Sequence, residues 1–513
     1  MDESPELEAT PTPKERTPVP AAAAASGGAA AAAGSDEDDD DDDDEVDEKP
    51  TGVASRAKID GWLEKVDKRD HLNVVFIGHV DAGKSTLSGQ MLFLTGSVDE
   101  RTIEKFSREA KQRNRESWFL AFIMDTSEEE RAKGKTVEVG RAEFCTESRR
   151  YTILDAPGHK NYVPNMIQGA SQADVGVLVI SARKGEFEAG FDRSGQTREH
   201  ALLAKTLGVR LLIVVINKMD EETVQWSQER FDEIKSGLEP FLKRSGYNTK
   251  KHVHWVPISA ITGANVQDKV SADVCPWYEG DSLFATMNSL KVGGRDPYGP
   301  LRVPVLDRYN DRGVVAMGKV ESGMLVKGRK VMLLPVVKIA TVDEVRIGEG
   351  EDDIVDAARP GDNVYVKLKG ISDEDLHKGF MIVDPGHPAP SAKRFQAQLQ
   401  VMELEHRNVF TAGYNAVLHL HTAEEECTVE KLVGLYKKDG TMEKNPRFIK
   451  SNQACLCNIT LTQNTPMEKF ETFQQLGRFT LRDEGRTIAI GKITGIPKGA
   501  YDEIEELTKK YTK

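Results

Sequence analysis

The sequence predicts an α/β domain with a mainly parallel sheet, followed by two antiparallel β-barrels and preceded by an acidic, disordered tail. Three observations carry this expectation. Four short, nearly continuous apolar runs, "LNVVFI" (72–77), "YTILD" (151–155), "VGVLVIS" (175–181) and "LLIVVIN" (211–217), have the character of strands covered on both faces, with helix-like stretches between them. After "GGRDPYGP" (293–300) the helical pattern largely stops, and short runs such as "LRVPVLDRY" and "DNVYVKLKG" follow with Gly, Asp and Pro between them. The first 50 residues hold 17 Asp or Glu against 3 Lys or Arg, which accounts for the whole net charge of −14.

The elements follow in chain order. Residues 1–55 combine "PTPKERTPVP", an Ala-rich stretch and "DEDDDDDDDEVDE", in which 12 of 13 residues are acidic; such a segment buries too little apolar surface to offset its ordering entropy. Residues 56–292 are expected to form the α/β domain; within it, "TREHALLAKTLG" reads as a helix capped by Thr197 and stopped by Gly208. Residues 293–388 are expected to form the first barrel. Proline-rich "DPGHPAPSA" (384–392) reads as the linker to the second, residues 389–513, with strands such as "YNAVLHLHT" and "QACLCNITLT". The body without the tail carries 66 charges of each sign, so total acidity says nothing about its partners. No secretory signal is seen at the start and no apolar run reaches the roughly 18 residues of a membrane span. Five irregularly spaced cysteines argue for a reducing compartment, and the expectation is a cytoplasmic protein with no membrane and no specific DNA partner.

The chemistry lies in the first domain. "GHVDAGKST" comprises Gly78, His79, Val80, Asp81, Ala82, Gly83, Lys84, Ser85 and Thr86, between an apolar strand and a helix, where a phosphate-binding loop has to sit. Gly83 lets the backbone approach phosphate, the helix N-terminus favours negative charge, Lys84 reaches the terminal phosphates and Ser85 ligates Mg²⁺. "DAPG", Asp155, Ala156, Pro157 and Gly158, ends another strand: Asp155 can hold the magnesium water shell and the Gly158 N–H can sense a third phosphate. "NKMD", Asn217, Lys218, Met219 and Asp220, closes a further strand, and an Asp beside a purine can accept both N–H groups of guanine. Ser259, Ala260 and Ile261 follow "VHWVPI" at a fourth strand end. All four sites fall at the carboxyl edge of one sheet, where ligands bind in this class of fold. The set points to GTP or GDP with Mg²⁺, in a P-loop GTPase domain.

"GHVDAGKST", "DAPGHKNYVPNMIQGASQADVGVLVISA" and "NKMD" resemble the translational GTPases of the elongation factor Tu type, and the two barrels complete that architecture. By that resemblance Thr136, in "GKTVEVG", matches the switch threonine that closes over Mg²⁺, and His159 matches the histidine that positions the attacking water on the ribosome. One residue departs from the pattern: Lys135 stands where these factors usually have an apolar residue, removing the apolar partner of Val80 in the gate near the histidine. Slow intrinsic GTP hydrolysis with strong dependence on an activating partner is the expectation.

Longer stretches narrow the resemblance: "EERAKGKTVEVGRAEF" (129–144), "ARKGEFEAGFDRSGQTREHALLAKTLGV" (182–209), "CPWY" (275–278), "GYNAVLHLHT" (413–422) and "GRFTLRDEGRTIAIGKI" (477–493) are similar to the GTP-binding subunits of eukaryotic peptide-chain release factors. The resemblance covers about residues 60–500. It implies a class-one release factor, the reader of stop codons, as partner through the second barrel, and GTP hydrolysis on the ribosome as the step that commits that partner to peptide release. The tail has no Gln/Asn-rich repeat and no clear "LNxxAxxF" motif for poly(A)-binding protein, so that partner finds no support in these residues. Three rival readings remain: a stalled-ribosome rescue GTPase, an aminoacyl-tRNA-delivering elongation factor, and a scaffold with a degenerate nucleotide site. The neutral body offers no nucleic-acid face for the second, and Lys84, Asp155 and His159 are all present against the third. His419, His421, Cys427, Cys455 and Cys457 invite a metal reading, but their alternation and irregular spacing fit barrel packing better. "RESWFLAFIMD" (115–125) reads as an apolar face used for core packing.

Overall fold

The computed structural model describes residues 56–112, 118–124, 136, 139–159, 162–192, 195–348, 353–402, 404, 409–437 and 439–497. Tail residues 1–55 and Lys135 lie outside the described residues. The first domain is built on a six-stranded sheet of β1 (Asp70–Gly78), β2 (Gly140–Cys145), β3 (Arg149–Asp155), β4 (Val175–Ser181), β5 (Leu211–Asn217) and β6 (Val253–Pro257) in the order β2-β3-β1-β4-β5-β6. Every neighbouring pair is parallel except β2 with β3. Its helices are α1 (Arg56–Leu63), α2 (Lys84–Leu94), α3 (Glu100–Gln112), α4 (Val163–Gln172), α5 (Glu186–Phe191), α6 (Gln196–Thr206), α7 (Gln228–Arg244) and α8 (Leu283–Ser289).

The continuous apolar runs became strands because residue alternation feeds two cores at once. Val74 and Phe76 of β1 pack with Leu87 and Met91 of α2, while Val75 and Ile77 pack on the opposite face with Met166 and Ile167 of α4. Of "RESWFLAFIMD", residues 118–124 are described; Leu120 and Phe122 are buried, and Phe122 meets Phe106 of α3 edge-on at 6.4 Å. Thr197 is not the cap of α6. Gly195 holds that position and Thr197 lies buried in the first turn. The cause is the tight approach of α5 and α6: a Cβ at 195 would stand 2.1 Å from the Gly190 carbonyl oxygen, so the position must be glycine. Gly208, at φ +104°, lies just beyond the end of α6.

The first barrel contains β7 (Arg302–Asn310), β8 (Val314–Lys319), β9 (Leu325–Val326), β10 (Lys330–Leu334), β11 (Lys338–Arg346), β12 (Ile354–Val355), β13 (Ala357–Ala358), β14 (Asn363–Lys369) and β15 (Met381–Val383). Its main sheet runs β10-β15-β7-β8-β14-β11-β12 and closes through β10–β11, with β9 and β13 paired separately. The second contains β16 (Ser391–Val401), β17 (Asn415–Leu420), β18 (Ala423–Tyr436), β19 (Met442–Lys444), β20 (Ala454–Pro466), β21 (Arg478–Asp483) and β22 (Arg486–Gly495), and closes through β17–β18. Cys427, Cys455 and Cys457 belong to its apolar core. Among the described residues no helix is long and apolar enough to cross a membrane.

The domains meet through different chemistry. Between the sheet and the first barrel, Asp174 accepts from Lys319 Nζ at 3.0 Å and Arg295 Nη2 at 2.8 Å, while Asp362 faces His71 at 3.3 Å and Arg150 at 2.8 Å. The two barrels are joined by Arg302 with Glu468 at 2.9 Å, His421 with Glu321 at 3.2 Å, and an apolar patch that brings Met332, Leu334 and Val383 against Leu476. Between the sheet domain and the second barrel, Glu199 meets Arg482 and Thr487, each at 3.3 Å, beside an open cleft of about 1490 Å³.

Candidate active site at the carboxyl edge of the sheet

The turn between β1 and α2 is fixed from below and from the side. The Gly78 N–H donates to His200 Nδ1 at 3.3 Å, and burial, with Lys84 nearby, pushes the pKa of His200 down to about 3, so the ring is neutral with its proton on Nε2. Gly83 sits at φ +93°, and a Cβ there would stand 2.3 Å from Asn217 Nδ2, so both conformation and space demand glycine. His79 and Val80 are half-buried, Asp81 is exposed at φ +63°, and Ala82 is buried. A Cβ at Gly190 of α5 would touch His79 at 3.0 Å, so the α5–α6 segment braces the turn.

Lys84 is buried, and its ammonium donates to two carbonyl oxygens, Gly78 at 3.3 Å and His79 at 2.8 Å. Among the described residues no carboxylate lies within ion-pair distance of it. Burial lowers its pKa, against the opposing fields of Asp155 and Asp81. An ammonium has three donors, so one N–H and most of the charge await an anion. Asp155 is buried at the end of β3, and Ser85 Oγ lies 3.1 Å from Thr136 Oγ1. Two hydroxyls in contact, and a buried carboxylate at the end of β3, are hard oxygen donors of the kind magnesium takes. Ala156 and Pro157 are buried, and Ala156 N–H bonds the Phe76 carbonyl at 3.2 Å. A Cβ at Gly158 would stand 2.5 Å from Lys84 Nζ and 2.9 Å from the Val80 nitrogen, so this loop presses directly on the phosphate-type turn. His159 follows, half-buried, its ring 5.8 Å from that of Tyr162. Thr86 continues α2 beyond Ser85.

The other end of the site is organised by one amide. Asn217 Nδ2 donates to the Ala82 carbonyl at 2.9 Å, and its Oδ1 accepts from Lys218 N at 2.8 Å and Ala260 N at 2.9 Å. Three strand-end loops are thereby held together. Met219, Ser259 and Ala260 are buried, whereas Asp220 and Ile261 are exposed, so the carboxylate expected to read a base stands at the surface.

Sequence reasoning did not single out Glu186. At the start of α5 it accepts from Lys218 Nζ and from Ser181 Oγ, both at 2.7 Å. Burial alone would raise its pKa, but those bonds and the charges of Lys218 and Arg183 win and lower it. His200 was missed as well, because within α6 it reads as one more core position; neither residue carries a local motif.

Residues 69–312 match the profile of the elongation factor Tu GTP binding domain, residues 313–383 that of elongation factor Tu domain 2, and residues 394–494 that of the GTP-eEF1A C-terminal domain-like family. The eukaryotic peptide chain release factor GTP-binding subunit of Kluyveromyces lactis is 48% identical over 430 residues, 83% of this chain and 61% of that protein. The protein of the same name from Dictyostelium discoideum is 46% identical over 470 residues, 91% of this chain and 84% of that protein. The chain thus spans about three fifths of the Kluyveromyces relative. In three dimensions the GTPase-like domain of S. cerevisiae Ski7, bound to GTP, superposes with a TM-score of 0.69 at 18% identity, covering 83% of this chain and 97% of that one, a likeness of fold. With sequence and architecture in agreement along nearly the whole folded body, the chain belongs to the family of eukaryotic peptide chain release factor GTP-binding subunits, within the elongation factor Tu type of GTPase.

Proposed function

We propose that this protein is a GTP phosphohydrolase that acts on the ribosome in the cytoplasm, binds a class-one release factor, and couples GTP hydrolysis to peptide release at stop codons. The observation that carries the nucleotide part is the buried Lys84 ammonium with no carboxylate within pairing distance among the described residues, beside a Gly158 whose Cβ position is crowded by Lys84 Nζ and the Val80 backbone nitrogen. In this reading Gly78 to Thr86 wrap the phosphates, Asn217 to Asp220 and Ser259 to Ile261 hold guanine, and Ser85, Thr136 and Asp155 would hold magnesium. When bound, the metal supplies neutralisation of phosphate charge.

The chain's own residues do the rest. Lys84 balances negative charge at the terminal phosphates without reorganisation, because its two carbonyl bonds already fix it. In this reading the Gly158 N–H senses the third phosphate and Thr136, 3.1 Å from Ser85 Oγ, would close over the metal, so loss of that phosphate would remove what holds both loops. His159 orients the attacking water once the ribosome orders it. His159→Ala should leave GTP affinity within about twofold and reduce ribosome-stimulated hydrolysis by about 10²-fold or more; equal loss of both would make the residue structural.

The partner is tested by competition. The GTP-loaded chain is expected to retain a class-one release factor in the presence of aminoacyl-tRNA and a rescue-factor partner. Preference for either competitor would move the protein to elongation or rescue and leave the nucleotide reading standing.

A further inference from the structure

A second polar cavity, of about 260 Å³, opens away from the nucleotide edge where the sheet domain and both barrels meet. Its inner wall carries Lys319 and Arg295 with Asp174 and Glu321, and its mouth carries exposed Arg210 and Lys291. Four cations against two carboxylates leave a local charge of +2 in a body that is neutral in total. Asp174 and Glu321 are spent on Lys319 and Arg295, so the excess lies on Arg210 and Lys291, and the Nε donor of Arg295 is buried with no hydrogen-bond partner among the described residues. Four glycines, 208, 293, 294 and 361, line the same space; Gly293 has nothing within 4 Å of a Cβ position and Gly294 only Arg210 Nη2 at 4.0 Å, so this stretch of backbone is open to a ligand.

We propose that this cavity binds a small phosphate-type oxyanion of charge about −2, held by Arg210, Lys291 and the free donor of Arg295, at a site separate from the nucleotide pocket. The excess positive charge matches such an anion, and a cavity of this volume admits inorganic phosphate or pyrophosphate with water. Sheet residues, the connection at 291–295 and both barrels all contribute to the wall, so a bound anion would tie the three domains at their common corner.

The test is calorimetric titration of the full chain, saturated with GDP and magnesium, with inorganic phosphate and then with pyrophosphate. One anion per chain should bind, with affinity that falls as chloride rises, and the double variant Arg210→Ala, Lys291→Ala should weaken it at least tenfold while GDP affinity stays unchanged. Those two side chains lie at the exposed mouth, and an unchanged unfolding midpoint of the variant without added anion shows that the fold is kept. No saturable heat, or binding that the double variant leaves intact, overturns the proposal; the second result would assign the anion to the nucleotide pocket.

Discussion

The first domain grips its two barrels in opposite ways. Against the first barrel it presents a buried polar seam: Asp174 with Lys319 and Arg295, Asp362 with His71 and Arg150, and Asn73 donating to the Gly361 carbonyl at 2.8 Å. Against the second it presents Glu199 on Arg482 and Thr487, beside a cleft large enough to hold many waters. Buried paired charges are costly to separate, because each partner left behind stays desolvated, whereas a partly exposed contact opens at little cost. The sheet and first barrel are therefore locked together directly, whereas the second barrel is held mainly through the first, by the buried Arg302–Glu468 and His421–Glu321 pairs and the patch around Leu476, and only loosely by the sheet domain.

The largest expected effect breaks the tight seam. Asp174→Ala leaves Lys319 and Arg295 without their carboxylate and should cost about 3–5 kcal/mol in denaturant unfolding; a loss below about 1 kcal/mol would show the seam to be hydrated and the contrast false. A second expectation separates the two junctions by pH. The carboxyl of Asp174 feels burial first, which would raise its pKa, but Lys319, Arg295 and the Asn73 bonds hold it well below the usual range. Its contribution is complete above pH 4 and is lost only in stronger acid. His419, on the cleft wall, has its pKa lowered to about 4 by burial, with Arg482 and Lys378 adding to the effect. It is neutral in the fold and takes up a proton on unfolding, so its stabilisation, complete above about pH 6.5, declines as pH falls towards 4, at up to roughly 1.4 kcal/mol per unit. Mild acid should thus weaken the second barrel while the Asp174 pairs of the first stay intact, as read by amide exchange along β17 at pH 5 against pH 7.5, and His419→Gln should reduce the slope of the stability profile between those values, the remainder coming from neutral, buried His200 of the sheet domain. The smallest effect sharpens the comparison: Glu199→Ala should cost about 1–2 kcal/mol, less than the Asp174 seam because buried Arg482 keeps Thr487 and the Gly485 carbonyl as partners, and should raise amide exchange along β21 and α6. Unchanged exchange there would mean that the second barrel is held by contacts other than Glu199.

Much of this organisation was legible beforehand. The four apolar runs lie within β1, β3, β4 and β5, because strands buried on both faces must be apolar at every position. The turn at 78–86 and the segments at 155–158, 217–220 and 259–261 could be located at strand ends because each directly follows an apolar run. Edge strand β2 was not visible: "GRAEFC" buries only Phe144 fully, so it lacks the apolar run that marks its neighbours. The cap of α6 was misread because Thr197 satisfies a local rule, while Gly195 is selected by the approach of α5, a contact that local spacing does not encode. Glu186 and His200 escaped for the same reason: their partners, Lys218 and Gly78, are far away in sequence.

The amide of Asn217 has a consequence for selection by size. By bonding Ala82 on one side and Lys218 and Ala260 on the other, it works as a spacer bar between the two ends of the pocket. On the proposed nucleotide reading, a guest must then be the right length as well as the right shape: with its base at 217–220 it would meet the turn at 78–86 at a preset distance, measured by a ruler a single side chain long.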